Sequence, residues 1–202
     1  MQTQKKDIRK TILEVSMREF LEHGFKDASM RTIAKKSGVS LSNIYNYFKN
    51  KDEIFTQILS VPVSLLNKVN NLFDDEYFFD IENIRSGKIK QLKFTYSIKF
   101  ICNYRDELNL LLFKAHGSSL QNFKDNWIDE NTVASIKWIK KYNHIHSKKI
   151  KASEFFIHNL NSSYVNFITE ILMHDIHKNK MIEYLKEYFE YSFNGWQKII
   201  GK

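Results

Sequence analysis

The chain has 202 residues, 31 of them Lys or Arg against 23 Asp or Glu, for a net charge of +8. Its 43% hydrophobic and 27% charged residues are those of a globular protein and exclude a disordered chain. One proline and six glycines are too few for the closely spaced turns of a β-sandwich or barrel, and a lone cysteine, Cys102, excludes a disulfide framework or a multi-cysteine metal site.

No apolar run approaches the length of a membrane helix, and no apolar stretch of a signal peptide follows Met1-Gln2-Thr3-Gln4-Lys5-Lys6. The expectation is an all-α, soluble, cytoplasmic protein of about nine helices, with no membrane partner, cofactor or resident metal. Positive charge favours a polyanionic partner. It is densest in residues 1–60, with 11 basic against 7 acidic side chains.

A first helix is predicted from about Lys5 to His23, with Ile8, Ile12, Leu13, Ser16, Phe20 and Leu21 at helical spacing and Gly24 ending it. Ser29 is a good N-cap for a short helix from Met30 to Ser37, closed by Gly38. Ser40 caps a third, from Leu41 to about Phe48. Asn50, with Glu53 reaching back, starts a fourth over 51–72. Pro62 lies inside that fourth helix, where it removes the hydrogen bond to the Ile58 carbonyl. A kink or break near Leu59–Pro62 is expected, either as a hinge or as a static feature.

A connection bracketed by Asp74-Asp75-Glu76 and Arg85-Ser86-Gly87 leads to three helices in 86–143. Two long apolar helices follow, over about Lys148–Met173 and Met181–Ile200. Both are apolar over more than one face, so one face is left for a partner to cover.

Helix, glycine turn and helix have the spacing of a helix-turn-helix. Residues 29–55 contain Ile33-Ala34 on the second helix and a Gly38-Val39-Ser40 turn. Tyr45-Asn46-Tyr47-Phe48 follows on the third, and Lys51 with Ile54-Phe55 opens the fourth. Over about residues 8–58 this pattern closely resembles the N-terminal signature of the TetR family of bacterial transcriptional regulators. The resemblance implies a DNA-binding domain over 1–50 and a helical effector-binding and dimerisation domain over 51–202, with 51–72 as the connecting helix.

A helix that enters the major groove needs short polar side chains on its exposed face. Ser40, Ser42, Asn43 and Asn46 supply them, with Leu41 for a thymine methyl; either asparagine suits an adenine edge. The resemblance gives phosphate contacts to Tyr45, Tyr47 and Lys51, with Tyr45 expected to be the half-buried tyrosine and Tyr47 the more exposed. Ser29 and Thr32 lie at a helix N-terminus, where free N–H groups favour an anion, and Arg31, Lys35 and Lys36 add charge nearby.

A module this small works as a two-fold dimer on a palindromic site. The family's intersubunit four-helix bundle points to Phe156, Leu160, Tyr164, Phe167, Tyr188, Ser192, Trp196 and Ile199 as interface residues. The resemblance also implies an effector cavity for a small apolar or aromatic molecule. Phe100, Tyr104, Phe113, His116, Trp127, Trp138, His158 and Asn161 are the candidates to line it.

The leading expectation is therefore a dimeric repressor released from its operator by an effector, with an activator possible on the same architecture. A DNA- or protein-binding dimer that answers to no effector is the alternative. A metal-dependent enzyme built on His144/His146 or His174/His177 is a third reading, although no P-loop, dinucleotide fingerprint or nucleophile elbow is present.

Overall fold

The computed structural model describes residues 2–72, 78, 80–147 and 149–201; the expected Asp74-Asp75-Glu76 connection lies outside them. Among the described residues there are ten helices and no strand. They are α1 (Gln2–Asp27), α2 (Met30–Ser37), α3 (Leu41–Ile44), α4 (Lys51–Leu72), α5 (Ile81–Arg85), α6 (Lys88–Asn103), α7 (Arg105–Phe113), α8 (Phe123–Ile145), α9 (Glu154–Met173) and α10 (Lys178–Gly201). None of them is long and apolar enough to cross a membrane.

The chain divides into two compact units, 1–65 with 106–124, and 66–105 with 125–202. The first differs from the expected 1–50 domain because α7 and the segment after it fold back onto the helix-turn-helix. Phe25 N–H donates to the Lys114 carbonyl at 2.9 Å, and Ser119 N–H donates to Asp52 Oδ1 at 2.8 Å. The core of this unit is aromatic. Phe20 and Phe55 meet edge to face at 5.1 Å, Phe25 and Phe55 at 5.0 Å, and Ile12, Ile33, Ile44, Phe48, Ile54 and Leu59 are buried around them. Burying one such side chain contributes about 1.5–3 kcal/mol.

Caps set most of the boundaries here. Ser29 Oγ accepts from Thr32 N–H, and Gly38, at φ 68°, closes α2 in the left-handed conformation that a Cβ disfavours. Val39 N–H then reaches back to the Ala34 carbonyl at 3.2 Å. Asn50 Oδ1 accepts from Glu53 N–H at 2.8 Å, while Glu53 returns to Lys49 N–H at 2.6 Å. α1 is interrupted at Gly24 (φ 76°), so its last residues continue beyond the expected stop. α4 runs through Pro62 to Leu72, and the expected break is not there. A single missing bond is tolerable within a helix of 22 residues whose other rungs stay intact.

The second unit is built from α5, α6, α8, α9, α10 and the end of α4, with α6 packed on α5 and α10. Ile84, Ile139, Tyr142, Ile150 and Ile157 form a buried cluster, with Trp138, Trp196 and Ile199 against it. α5 was not expected; Asp80 Oδ1 caps it by accepting from Glu82 N–H at 2.7 Å. α9 begins at Glu154 rather than near Lys148 (outside the described residues), because Ser153 caps it and Asn143 holds Ile150 short of the helix. The Asn143 side chain donates to the Ile150 carbonyl at 2.9 Å and accepts its N–H at 2.7 Å.

Candidate functional sites

The reading segment is shorter than its sequence suggests. α3 is one turn, Leu41–Ile44, and residues 45–47 form a tighter turn in which Asn46 N–H and Tyr47 N–H donate three residues back, to Asn43 O and Ile44 O. Ser40 caps it, accepting from Asn43 N–H at 3.3 Å, and its hydroxyl lies 3.2 Å from that of Ser42. Ile44 and Phe48 are buried beneath. Ser42 and Asn46 are exposed, Leu41 and Asn43 half-buried. Asn46 Nδ2 donates to Asn43 Oδ1 at 3.2 Å, so the two asparagines form a linked pair. Asn43 also lines a small cleft with Asp7, Thr11 and Gly38.

Arg9 braces this segment and was missed by sequence reasoning. Its guanidinium donates to the Tyr47 carbonyl at 3.3 Å and to Gln57 Oε1, and stacks over the Phe48 ring at 4.6 Å. Position 9 falls outside the helix-turn-helix pattern, so only its place on α1, one residue after Ile8, hinted at an inward role.

The phosphate candidates divide. Arg31 is exposed, Thr32 is half-buried, and Ser29 is committed to its cap. The tyrosines are the reverse of what was expected: Tyr45 is 49% exposed and Tyr47 half-buried. The turn after Ile44 rotates Tyr47 towards α1, where Arg9 holds its carbonyl. Lys51 is not a simple surface cation. Its ammonium donates to the carbonyls of Ala28 (2.9 Å) and Lys26 (3.1 Å) and sits 4.6 Å over the Phe25 ring. Burial pushes its pKa down, with the charge of Asp27 opposing. Lys36 is also engaged, pairing with the buried Glu19 carboxylate at 2.8 Å and with Glu22 at 3.4 Å.

The second unit encloses a cavity of about 330 Å³ between α6, α8, α9 and α10. Of the residues expected around an effector, Phe100, Trp127, Trp138 and Asn161 line this cavity. Tyr104, Phe113, His116 and His158 do not. Phe113 and His116 belong to the first unit, where both are exposed, and His158 turns towards Asp129 at 3.7 Å. Tyr104 follows the end of α6, its ring 5.4 Å from that of Phe100 and tilted by 45°. Ser97 and Tyr164 share a hydrogen bond of 2.8 Å on the cavity wall. Burial pushes the Tyr164 phenol up to about 12, with Tyr188 and Tyr96 adding to the shift and the Ser97 bond opposing it.

Residues 12–58 match the model of the bacterial regulatory proteins of the tetR family. That match places a TetR-family helix-turn-helix in the N-terminal part of the chain. Among relatives, the uncharacterised HTH-type transcriptional regulator YhgD of Bacillus subtilis is 35% identical over 69 residues, 34% of this chain and 35% of YhgD. The match thus spans about a third of that relative's length. Two solved structures of regulators align with nearly the whole chain. NalD, the secondary repressor of the MexAB-OprM multidrug efflux pump in Pseudomonas aeruginosa, aligns with a TM-score of 0.61 at 16% identity over 94% of this chain and 96% of NalD. FadR from Bacillus subtilis, solved in complex with stearoyl-CoA, aligns with a TM-score of 0.55 at 15% identity over 87% of this chain and 96% of FadR. At such identities the likeness is one of fold.

The residues expected at a dimer face divide between the cavity wall, the core and the surface. Leu160, Tyr164, Tyr188, Ser192 and Trp196 line the protomer's own cavity; Phe167 stacks on Tyr188 at 4.6 Å, and Ile199 packs on the buried cluster. Helical spacing marked these positions as apolar but did not identify the surface that covers them. Of the eight, Phe156 stays on an exposed surface without lining the cavity; Phe155 (78% exposed) and Tyr191 (82%) are the large apolar side chains the expectation missed. Ile200, expected on the same apolar face, has its side chain outside the described residues.

Neither histidine pair joins a metal-ligating cluster among the described residues. His174 pairs with Glu170 at 3.2 Å, and the His146 ring lies 4.2 Å from that of Tyr142, tilted by 40°. The one cluster found, Glu19, Glu22 and His23, has the Lys36 ammonium on both carboxylates.

Proposed function

We propose that this chain is a DNA-binding transcriptional regulator, acting in the cytoplasm as a homodimer on a palindromic operator. The observation that carries this reading is the braced single-turn α3, whose Ser42 and Asn46 stand exposed at a Ser40-capped N-terminus. Short polar side chains on a helix start suit base edges in a major groove, and one such module reads too few bases to act alone. Leu41 and Asn43 add base contacts. Tyr45, Tyr47, Arg31 and the α2 N-terminus at Ser29 and Thr32 supply phosphate contacts. Lys51 contributes through its remaining hydrogen and its charge.

The reading-head domain and the effector domain follow the two compact units. The second copy covers the exposed face around Phe155, Phe156 and Tyr191. The open, largely apolar cavity favours an effector-responsive repressor over an effector-independent dimer. NalD's role as a repressor and FadR's bound stearoyl-CoA support the same choice. Effector binding shifts the population towards a form with lower operator affinity.

Selection of bound DNA from a random pool at two salt concentrations tests the proposal. The expected result is a two-fold symmetric consensus with affinity that falls steeply with salt. Asn46→Ala relaxes the preference at one position of each half-site by about 1–3 kcal/mol, while Arg31→Ala weakens all sequences alike. Absence of any consensus, or a monomer at binding concentrations, rejects the reading.

A further inference from the structure

We infer that the cavity of the second unit is built for an uncharged apolar molecule with no polar anchor, and that it discriminates against ligands of either charge. This rests on the reading of that cavity as an effector site and narrows the class of molecule it accepts.

The wall keeps its hydrogen-bonding groups for itself. Ser97 on α6 and Tyr164 on α9 share a hydrogen bond of 2.8 Å. Asn161 Nδ2 donates to Ser135 Oγ at 3.3 Å and to the Ile157 carbonyl at 3.0 Å, and Trp138 Nε1 donates to the Phe78 carbonyl at 3.2 Å. The two lysines of the lining are engaged as well. Lys90 pairs with Glu190 at 2.7 Å and lies over the Phe193 ring, and Lys93 is not free either. Asn131 Nδ2 has no partner, but the atom is itself buried and presents no surface to the open space. A polar group on a ligand therefore leaves water and finds no unspent partner here, which weakens its binding.

Charge fares worse. No acidic side chain is among the described residues of the lining, so a cation has no counter-charge. An anion has to draw a lysine from the contact it already makes. Two groups built into the wall report how poorly it supports charge of either sign. Burial pushes the Lys93 ammonium down to about 8 and the Tyr164 phenol up to about 12, and both shifts favour the neutral form. What remains to hold a ligand is ring and aliphatic surface around about 330 Å³, within the range of small-molecule sites.

The chain's three tryptophans, Trp127, Trp138 and Trp196, all lie on the wall, so intrinsic fluorescence excited at the red edge of indole absorption reports occupancy. Four probes share one phenylbutane frame: butylbenzene, its ketone 4-phenyl-2-butanone, 4-phenylbutanoate and 4-phenylbutylammonium. Each is titrated into the whole chain. Butylbenzene is expected to bind at least about tenfold more tightly than either ion, with the ketone no tighter than the hydrocarbon. Ser97→Ala frees the Tyr164 hydroxyl at the wall, so in that variant the ketone should gain about threefold to tenfold on butylbenzene.

Binding of either ion as tight as that of butylbenzene, no binding of butylbenzene, or a wild-type preference for the ketone each overturns the inference. So does an unchanged ketone-to-hydrocarbon ratio in folded Ser97→Ala; should that variant fold poorly, the wild-type series decides alone. The effector reading fails separately. Butylbenzene that occupies the cavity yet leaves operator affinity unchanged sinks the effector role and keeps the uncharged site. Operator release by 4-phenylbutanoate, bound at least as tightly as butylbenzene, does the opposite.

Discussion

The two units use the same kinds of side chain to opposite ends. In the first, Phe20, Phe25 and Phe55 interlock at 5.0–5.9 Å around a filled centre. In the second, Phe100, Trp127, Trp138, Tyr164 and Trp196 stand around an open space. Aromatic content alone thus does not distinguish a core from a binding cavity. The difference lies in whether the rings meet one another or a void, which depends on how the helices are spaced.

The sharpest way to break that comparison is truncation on each side. Phe20→Ala should cost about 3–5 kcal/mol, because a filled core cannot collapse over the hole. Phe193→Ala, on the cavity wall, should cost clearly less, about 1–2 kcal/mol, since its ring already borders space. Denaturant unfolding of both variants checks this; equal losses would mean that the cavity wall is packed as tightly as the core.

Lys51 provides the next largest effect. Lys51→Met should destabilise the first unit by about 1–3 kcal/mol, because two carbonyls at the α1–α2 junction lose a charged donor. A variant that weakens DNA binding with no change in melting temperature would return Lys51 to a purely phosphate-facing role.

Glu19, 2% exposed, adds a pH dependence. Burial raises its pKa, but the Lys36 hydrogen bond, the Ser29 N–H and the Lys36 charge together outweigh burial and leave it below the ordinary carboxyl range. A carboxyl with a depressed folded pKa contributes stability that is present above its unfolded value and lost as pH falls through the folded one. Wild type should therefore lose stability below about pH 4.5 more steeply than Glu19→Gln, as thermal melts across that range would show. The smallest effect belongs to the cavity wall. Tyr164→Phe removes one hydrogen bond to Ser97 and should cost about 0.5–1.5 kcal/mol, measured by the same unfolding.

Legibility in the sequence also differs between the units, and for a physical reason. α2 was readable to the residue because Ser29 and Gly38 are local signals whose geometry involves only neighbours. α3 was read too long because its end is set by the brace from Arg9, 38 residues away from Tyr47 in sequence. Pro62 is a true local signal, but its cost is small beside the rest of a long helix. In the second unit, apolar spacing marked Leu160, Tyr164, Tyr188 and Trp196 as positions in need of cover, and the family resemblance gave them to a partner; all four line the protomer's own cavity. Spacing does not specify which surface such a stripe meets.

The brace at Arg9 has a consequence for how such a protein can change. One turn of helix has no cooperative stability of its own, so α3 takes its shape from groups outside it: a guanidinium, a buried Ile44 and a buried Phe48. Ser42 and Asn46 contribute almost nothing to that support. Exchanging these two side chains therefore leaves the scaffold standing, so the exposed surface of this turn can vary in sequence with no loss of folding.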